Sequence, residues 1–188
     1  MNIESLSIPQ VILVEPKKYG DHRGFFSETF REDLLKDHGF GSRFVQDNHS
    51  LSAQKGTLRG LHYQRPPHAQ DKLVRVVRGS ILDVAVDIRD GSPSYGKHVS
   101  AVLSAENGHQ LLVPKGFAHA FVTLEADTEV IYKVSDYYAP DCDAGIIWND
   151  PEININWDLE GDPVLSEKDA LLPLFSELPP GVFPYGQF

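Results

Sequence analysis

From about Gln46 to Trp157 the chain repeats one pattern: a short run rich in valine, isoleucine and leucine, then a cluster of turn-forming residues. The runs are KLVRVV, SILDVAVDI, HVSAVLS, HQLLV, HAFVTL, EVIYKVS and GIIW. The clusters are DGSPSYG after Arg89, AENG from Ala105, PKG from Pro114, APDCDAG from Ala139 and NDPE from Asn149. Runs this short, bounded by Gly, Pro, Asn and Asp, predict strands. Their regular spacing, with little helical periodicity, predicts an all-β fold, an antiparallel sandwich or barrel. Helix is expected only in REDLLKDHGF, where Leu34 and Leu35 can pack inward and Gly39 supplies a stop, and in SEKDALLPLF, where Ser166 can cap ahead of Asp169. The closing ELPPGVFPYGQF, rich in Pro and Gly, is expected to wrap the surface or meet a partner subunit.

The 188 residues, 41% of them hydrophobic, suit one domain with a sizeable core. Lys and Arg total 17 against 27 Asp and Glu, a net charge of −10. That balance argues against nucleic-acid binding through a broad basic surface, while a few local cations can still hold a small anion. One cysteine, Cys142, permits no internal disulfide, and MNIESLSIPQ lacks the basic and apolar regions of a secretion signal. With no stretch of membrane-spanning length either, the expectation is a cytoplasmic protein with no membrane segment.

Some polar residues sit oddly in this pattern. Alternation puts Lys72 on one strand face with Val74 and Val76, where the plainer reading is a strand-end lysine whose head reaches solvent. It groups Tyr132 with Val130 and Val134, where a core tyrosine with a satisfied hydroxyl is the plain reading; His119 in PKGFAHAF reads equally as a satisfied core histidine. In TLRGLHYQ, strict alternation sends Arg59 and His62 to opposite faces. Gly60 stands between them, and glycine inside a strand often marks a bulge, which would bring both to one cavity. An exposed Arg59 and a buried neutral His62 remain the alternative. Five such residues at predicted barrel strands or their ends favour a shared cavity.

GTLRGLH and PKGFAH resemble the two short motifs of the cupin superfamily, many of whose members bind a metal. Here only His62 and His119 are well placed as ligands, since His68 follows two prolines, and two neutral ligands make a poor site. A metal-free cavity without a cofactor is expected. His62 then suits general-base work, Lys72 the stabilisation of an oxyanion, and Tyr132 the return of a proton. Base, oxyanion stabiliser and separate acid are what proton abstraction beside a carbonyl requires, and delivery from the opposite face gives an epimer.

The ordered series DHRGFFSETF, FVQDNHS, GTLRGLHYQ, PPHAQDKLVRVVRGSILDVAVDIRDGSPSYG, LSAEN, PKGFAHAF, YKVSDYYAP and IIWNDPEININW runs over residues 21 to 157, with SEKDA beyond it, and resembles the dTDP-4-dehydrorhamnose 3,5-epimerase family. The resemblance implies a cupin-type double-stranded β-helix jelly roll spanning 1–188. Segment 1–50 would contribute to a homodimer and segment 160–188 would pack on the barrel. It implies epimerisation at C3 and C5 of a dTDP-4-keto-6-deoxyhexose, with His62 as base, Asp169 as its orienting carboxylate, Tyr132 as proton donor and Lys72 beside the keto oxygen. Arg59 and His119 would hold the diphosphate and sugar. Arg23, Phe25, Glu28, Gln46, Asn48 and Lys168 would serve the nucleotide, residues 23 to 28 reaching the neighbouring subunit's site, and Tyr138 would offer thymine an aromatic surface.

Three positions depart from the family's pattern. Asp71 and Ala120 stand where Gly is common, the Ala120 methyl being expected to narrow the cavity, and Asp143, a nucleotide-binding candidate one methylene shorter, stands where a Glu often makes that contact. Two other readings stand beside this one: an epimerase acting at C3 or C5 alone, and a sugar-binding cupin without chemistry.

Overall fold

The computed structural model describes residues 1–187; Phe188, the end of the closing segment, lies outside the described residues. The strands are β1 (Asn2–Ser5), β2 (Ile12–Glu15), β3 (Lys18–Asp21), β4 (Gly24–Ser27), β5 (Gln46–Ser52), β6 (Leu58–Gln64), β7 (Lys72–Arg78), β8 (Ser80–Asp87), β9 (His98–Ser104), β10 (Gln110–Val113), β11 (Phe117–Thr123), β12 (Thr128–Val134) and β13 (Asp143–Gly145). They form a six-stranded sheet in the order β1-β2-β10-β7-β12-β5, a five-stranded sheet in the order β13-β6-β11-β8-β9, and a separate hairpin of β3 and β4. Every pairing within these sheets is antiparallel, the jelly-roll arrangement expected.

Side-chain alternation divides the apolar residues among three layers. Val74, Val76, Leu111, Val113 and Val130 of the first sheet meet Ile81, Ala85, Val99, Phe117 and Phe121 of the second, filling the space between them. The other face of the second sheet presents Val84, Val86, Ala118, Ala120 and Val122 to Ile153, Trp157, Phe175 and Phe183 of the C-terminal segment. The outer face of the first sheet puts Leu73 and Leu112 against Leu35 and Phe40. Strands β8 and β11 are covered on both faces, which is why their sequences read as nearly continuous apolar runs.

Helix α1 covers Glu32–Asp37 with Leu35 buried, and Gly39 follows at φ +87°, the left-handed stop expected of it. Several elements differ from the sequence reading. Strands β1 to β5 were not predicted: β1, β3, β4 and β5 are half exposed or more, and β2, the short apolar run ILVE, buries one face only. The run GIIW is not a strand: β13 ends at Gly145, although the amide and carbonyl of Ile146 still pair with those of Leu61. SEKDALLPLF forms only a short 3-10 turn, Asp169–Leu171, because Pro173 forces Leu172 into extended backbone. Ser166 Oγ does accept the Asp169 amide, at 3.1 Å. In the closing segment Phe183 is buried, and its carbonyl accepts the Asp90 amide.

Candidate active site

A cavity of about 410 Å³ opens between the sheets, lined by Arg59, His62, Lys72, His119 and Tyr132 together with Val164 to Ser166, Lys168 and Asp169. A neighbouring cleft of about 320 Å³ shares His62, Lys72, Tyr132 and Lys168 with it and adds Gln46, Asn48, Tyr138 and Asp143, with Tyr63, Gln64 and Gln70 in its wall. Arg59 and His62 do reach one cavity, through a bulge at Gly60. His62 pairs with His119 and Arg59 with Phe121, so three steps along β6 match two along β11 and both side chains line the cavity, Arg59 staying exposed to solvent. Gly60 has φ +125°, and a Cβ there would lie 2.4 Å from that of Ala120 and 2.6 Å from the His119 carbonyl oxygen. Only glycine fits.

His62 Nε2 donates to Asp169 Oδ1 at 2.6 Å, leaving Nδ1 as the unprotonated nitrogen of the neutral ring. Burial alone would raise the Asp169 carboxyl, but the His62 ring, Ser166 and the Gly60 amide together hold it below the usual range. The carboxylate therefore stays ionised and fixes the imidazole.

Lys72 does not reach solvent. It is buried, and Nζ donates to the His62 carbonyl across the gap between the sheets at 3.1 Å. Burial lowers its ammonium to about 8, with Asp143 and Asp83 opposing the shift. Tyr132 projects from the same sheet as Lys72, with Asn48 opposite it on β5. Burial raises its phenol above the ordinary value, so it remains protonated through neutral pH.

His119 is paired, its Nε2 standing 2.7 Å from Asp83 Oδ1. Asp83 is a site residue that sequence reasoning missed. It is fully buried, and Oδ2 has no hydrogen-bond partner among the described residues. Burial raises its carboxyl, against the pull of His119 and Lys72. Its signal was an acid inside the apolar run SILDVAVDI, on the same face as Ile81 and Ala85. Arg59 donates through Nε to Ser52 Oγ and through Nη2 to the Leu51 carbonyl, both at 3.2 Å.

In the neighbouring cleft Asp143 accepts from Lys168 Nζ and, at 3.2 Å, from the Tyr138 hydroxyl. Gln46 Nε2 donates to Asn48 Oδ1 at 2.8 Å. The remaining candidates are not brought here: Arg23, Phe25 and Glu28 lie exposed on and beside the β3–β4 hairpin, Arg23 pairing with Asp21 and Glu28 standing 3.9 Å from Arg31. Ala120 corrects another expectation. Its methyl points into the outer core against Gly60 and does not narrow the cavity. Asp71 is buried beside the site, accepting from Ser135 Oγ and the Lys115 amide. Among the described residues no three His, Cys, Asp or Glu side chains converge as metal ligands, and no helix is long and apolar enough to cross a membrane.

The sequence profile of the family described as dTDP-4-dehydrorhamnose 3,5-epimerase matches residues 5–177. A dTDP-4-dehydrorhamnose 3,5-epimerase of Sinorhizobium fredii is 56% identical over 179 residues, 95% of this chain and 92% of its own. The crystal structure of dTDP-6-deoxy-D-glucose-3,5-epimerase from Legionella pneumophila, in complex with dTDP-4-keto-L-rhamnose, superposes with a TM-score of 0.94 at 46% identity, covering 100% of this chain and 99% of that one. A less similar structure, a 3'-monoepimerase from Streptomyces bikiniensis in complex with dTDP-quinovose, has a TM-score of 0.85 at 35% identity, covering 92% of this chain and 87% of that one.

Proposed function

The chain belongs to the dTDP-4-dehydrorhamnose 3,5-epimerase family and is an isomerase of a dTDP-linked keto sugar, and from that premise we propose how its residues convert dTDP-4-dehydro-6-deoxy-D-glucose into dTDP-4-dehydro-L-rhamnose. The 4-keto group acidifies the C–H bonds at C3 and C5. Nδ1 of His62 takes the proton from one face, and Asp169 stabilises the imidazolium that forms. The electron pair of the broken C–H bond moves to the keto oxygen, where the Lys72 ammonium meets the developing charge. The Tyr132 phenol returns a proton to carbon from the other face, and the configuration inverts.

The observation that carries this reading is the division of the groups between the two sheets. His62 stands on β6 of the five-stranded sheet, and Lys72 and Tyr132 on β7 and β12 of the six-stranded one, around a single cavity. Opposed walls are what inversion needs, since a base and an acid on one side would return the proton where it left. Arg59 and His119 take the sugar and diphosphate, the fork of Arg59 suiting phosphate oxygens. Gln46, Asn48, Asp143 and Lys168 take the nucleotide, with Tyr138 against thymine.

The enzyme works in the cytoplasm as a homodimer of single-domain subunits. Support for the dimer comes from the β3–β4 hairpin, where Phe25 and Phe26 stand 64% and 67% exposed beside Arg23. Apolar rings so open are placed to meet a second copy, bringing Arg23, Phe25 and Glu28 to its nucleotide cleft. Proton NMR of the product made from dTDP-4-dehydro-6-deoxy-D-glucose tests the reaction. The L-lyxo sugar is expected, and a product inverted at one carbon would assign the chain to the single-position epimerases.

A further inference from the structure

Gln64 lies two residues beyond His62 on β6, and its buried amide is spent on a loop. Nε2 donates to the carbonyls of His68 at 2.7 Å and Tyr137 at 3.2 Å, and Oε1 accepts the Ala139 amide at 2.8 Å. Two more glutamines grasp the same segment: Gln70 Nε2 donates to the Asp136 carbonyl at 2.8 Å, and Gln46 Oε1 accepts the Tyr138 amide at 3.3 Å. The backbone of four successive residues, 136 to 139, is thus held by side chains of β5, of β6 and of the loop before β7. No backbone–backbone hydrogen bond involves Asp136, Tyr137 or Tyr138 among the described residues. The rings of Tyr137 and Tyr138 are 65% and 58% exposed, so packing does not hold them either. A segment with neither ladder nor core contacts opens easily; here the three glutamines hold its backbone, and the Tyr138 hydroxyl adds a bond to Asp143 at 3.2 Å.

We propose that Gln64 is a positioning residue for nucleotide binding, acting through the Tyr138 loop. Residues i and i+2 of a strand stand roughly 7 Å apart on one face. β6 thereby sets at once the place of the His62 base and the height of the aromatic surface beside it. The amide is locked in one orientation, because turning it over would set Oε1 against two carbonyl oxygens. This inference rests on the reading that Tyr138 faces the thymine.

A double-mutant cycle tests it. Gln64→Met keeps the length and adds no charge to the cleft, but it has no donor for His68 and Tyr137 and no acceptor for Ala139. Losing three buried hydrogen bonds is expected to raise the Kd for dTDP and the KM of the dTDP-4-keto sugar by about tenfold or more, with kcat at saturation within about twofold. Tyr138→Ala is expected to weaken dTDP similarly, and the double variant to bind no worse than Tyr138→Ala alone. Additive losses, or a fall in kcat at unchanged KM, would overturn the inference. Unchanged dTDP affinity in Tyr138→Ala would instead remove the reading beneath it. Should Gln64→Met fail to fold, Gln70→Met removes one half-exposed bond to the same loop. A smaller loss of dTDP affinity, again absent in the Tyr138→Ala background, is expected, and none at all would overturn the inference.

Discussion

His62 Nε2 and Asp169 Oδ1 stand 2.6 Å apart although 107 residues separate them in the chain. The loop that carries Asp169 is tied to the bulge that aims His62, through the Gly60 amide and through Val164, whose amide and carbonyl pair with Gly56 and Leu58. One piece of backbone geometry thus serves both halves of the dyad.

Replacing His62 by Ala is expected to lower kcat by roughly 10²–10⁴-fold, the usual worth of a positioned base, while dTDP binding, measured by calorimetry, changes little. Near-normal turnover would take His62 out of the base's role.

Asp169→Asn keeps the shape of the dyad without its charge. Turnover is expected to fall by roughly 10²–10⁴-fold, as when an orienting carboxylate is neutralised. The wild-type carboxyl is held below its ordinary value, so its contribution to stability is present above the ordinary carboxylate range and is lost as pH falls through the lowered value. Acid unfolding of the variant should accordingly show a weaker pH dependence than wild type.

In the proposed mechanism Lys72 works as an ammonium, and burial lowers it to about 8, so kcat/KM is expected to decline above that pH, by about tenfold per unit. Stability runs the other way. The folded pKa lies below the unfolded one, so the cost of burying the charge is greatest below pH 8 and is relieved as pH rises toward the ordinary lysine value. In Lys72→Arg the alkaline decline should vanish from whatever activity survives; its persistence would assign it to another group.

Gly60→Ala would place a methyl 2.4 Å from Ala120 Cβ at a φ that L residues avoid, and is expected to cost about 2–4 kcal/mol from overpacking and strain combined. Thermal unfolding measures it. Ala120→Gly, by contrast, should leave KM and kcat within about twofold, because that methyl lies outside the cavity.

The reach of the sequence was uneven for physical reasons. Strands buried on both faces, such as β8 and β11, announce themselves as apolar runs, and β11 carries His119. Strands β1 to β5 bury one face or less and left no such trace, so the hairpin bearing Phe25 was seen only through family likeness. Arg59 and His62 were legible because a glycine stood between them. Asp83 was passed over because an acid amid valines has no spacing rule, and the grip of Gln64 on Tyr137 and Ala139 depends on tertiary contacts across 73 and 75 positions.

The central claim, that one base reaches both carbons, is tested most directly by isotope exchange. The enzyme is incubated with dTDP-4-dehydro-6-deoxy-D-glucose in deuterated water, and label at C3 and C5 is followed by mass spectrometry and NMR in wild type, His62→Ala and Tyr132→Phe. Wild type is expected to deuterate both carbons of an L-lyxo product and His62→Ala neither, while Tyr132→Phe forms little epimer but retains part of the exchange. Label at one carbon in wild type, or undiminished label at either carbon in His62→Ala, would contradict the account.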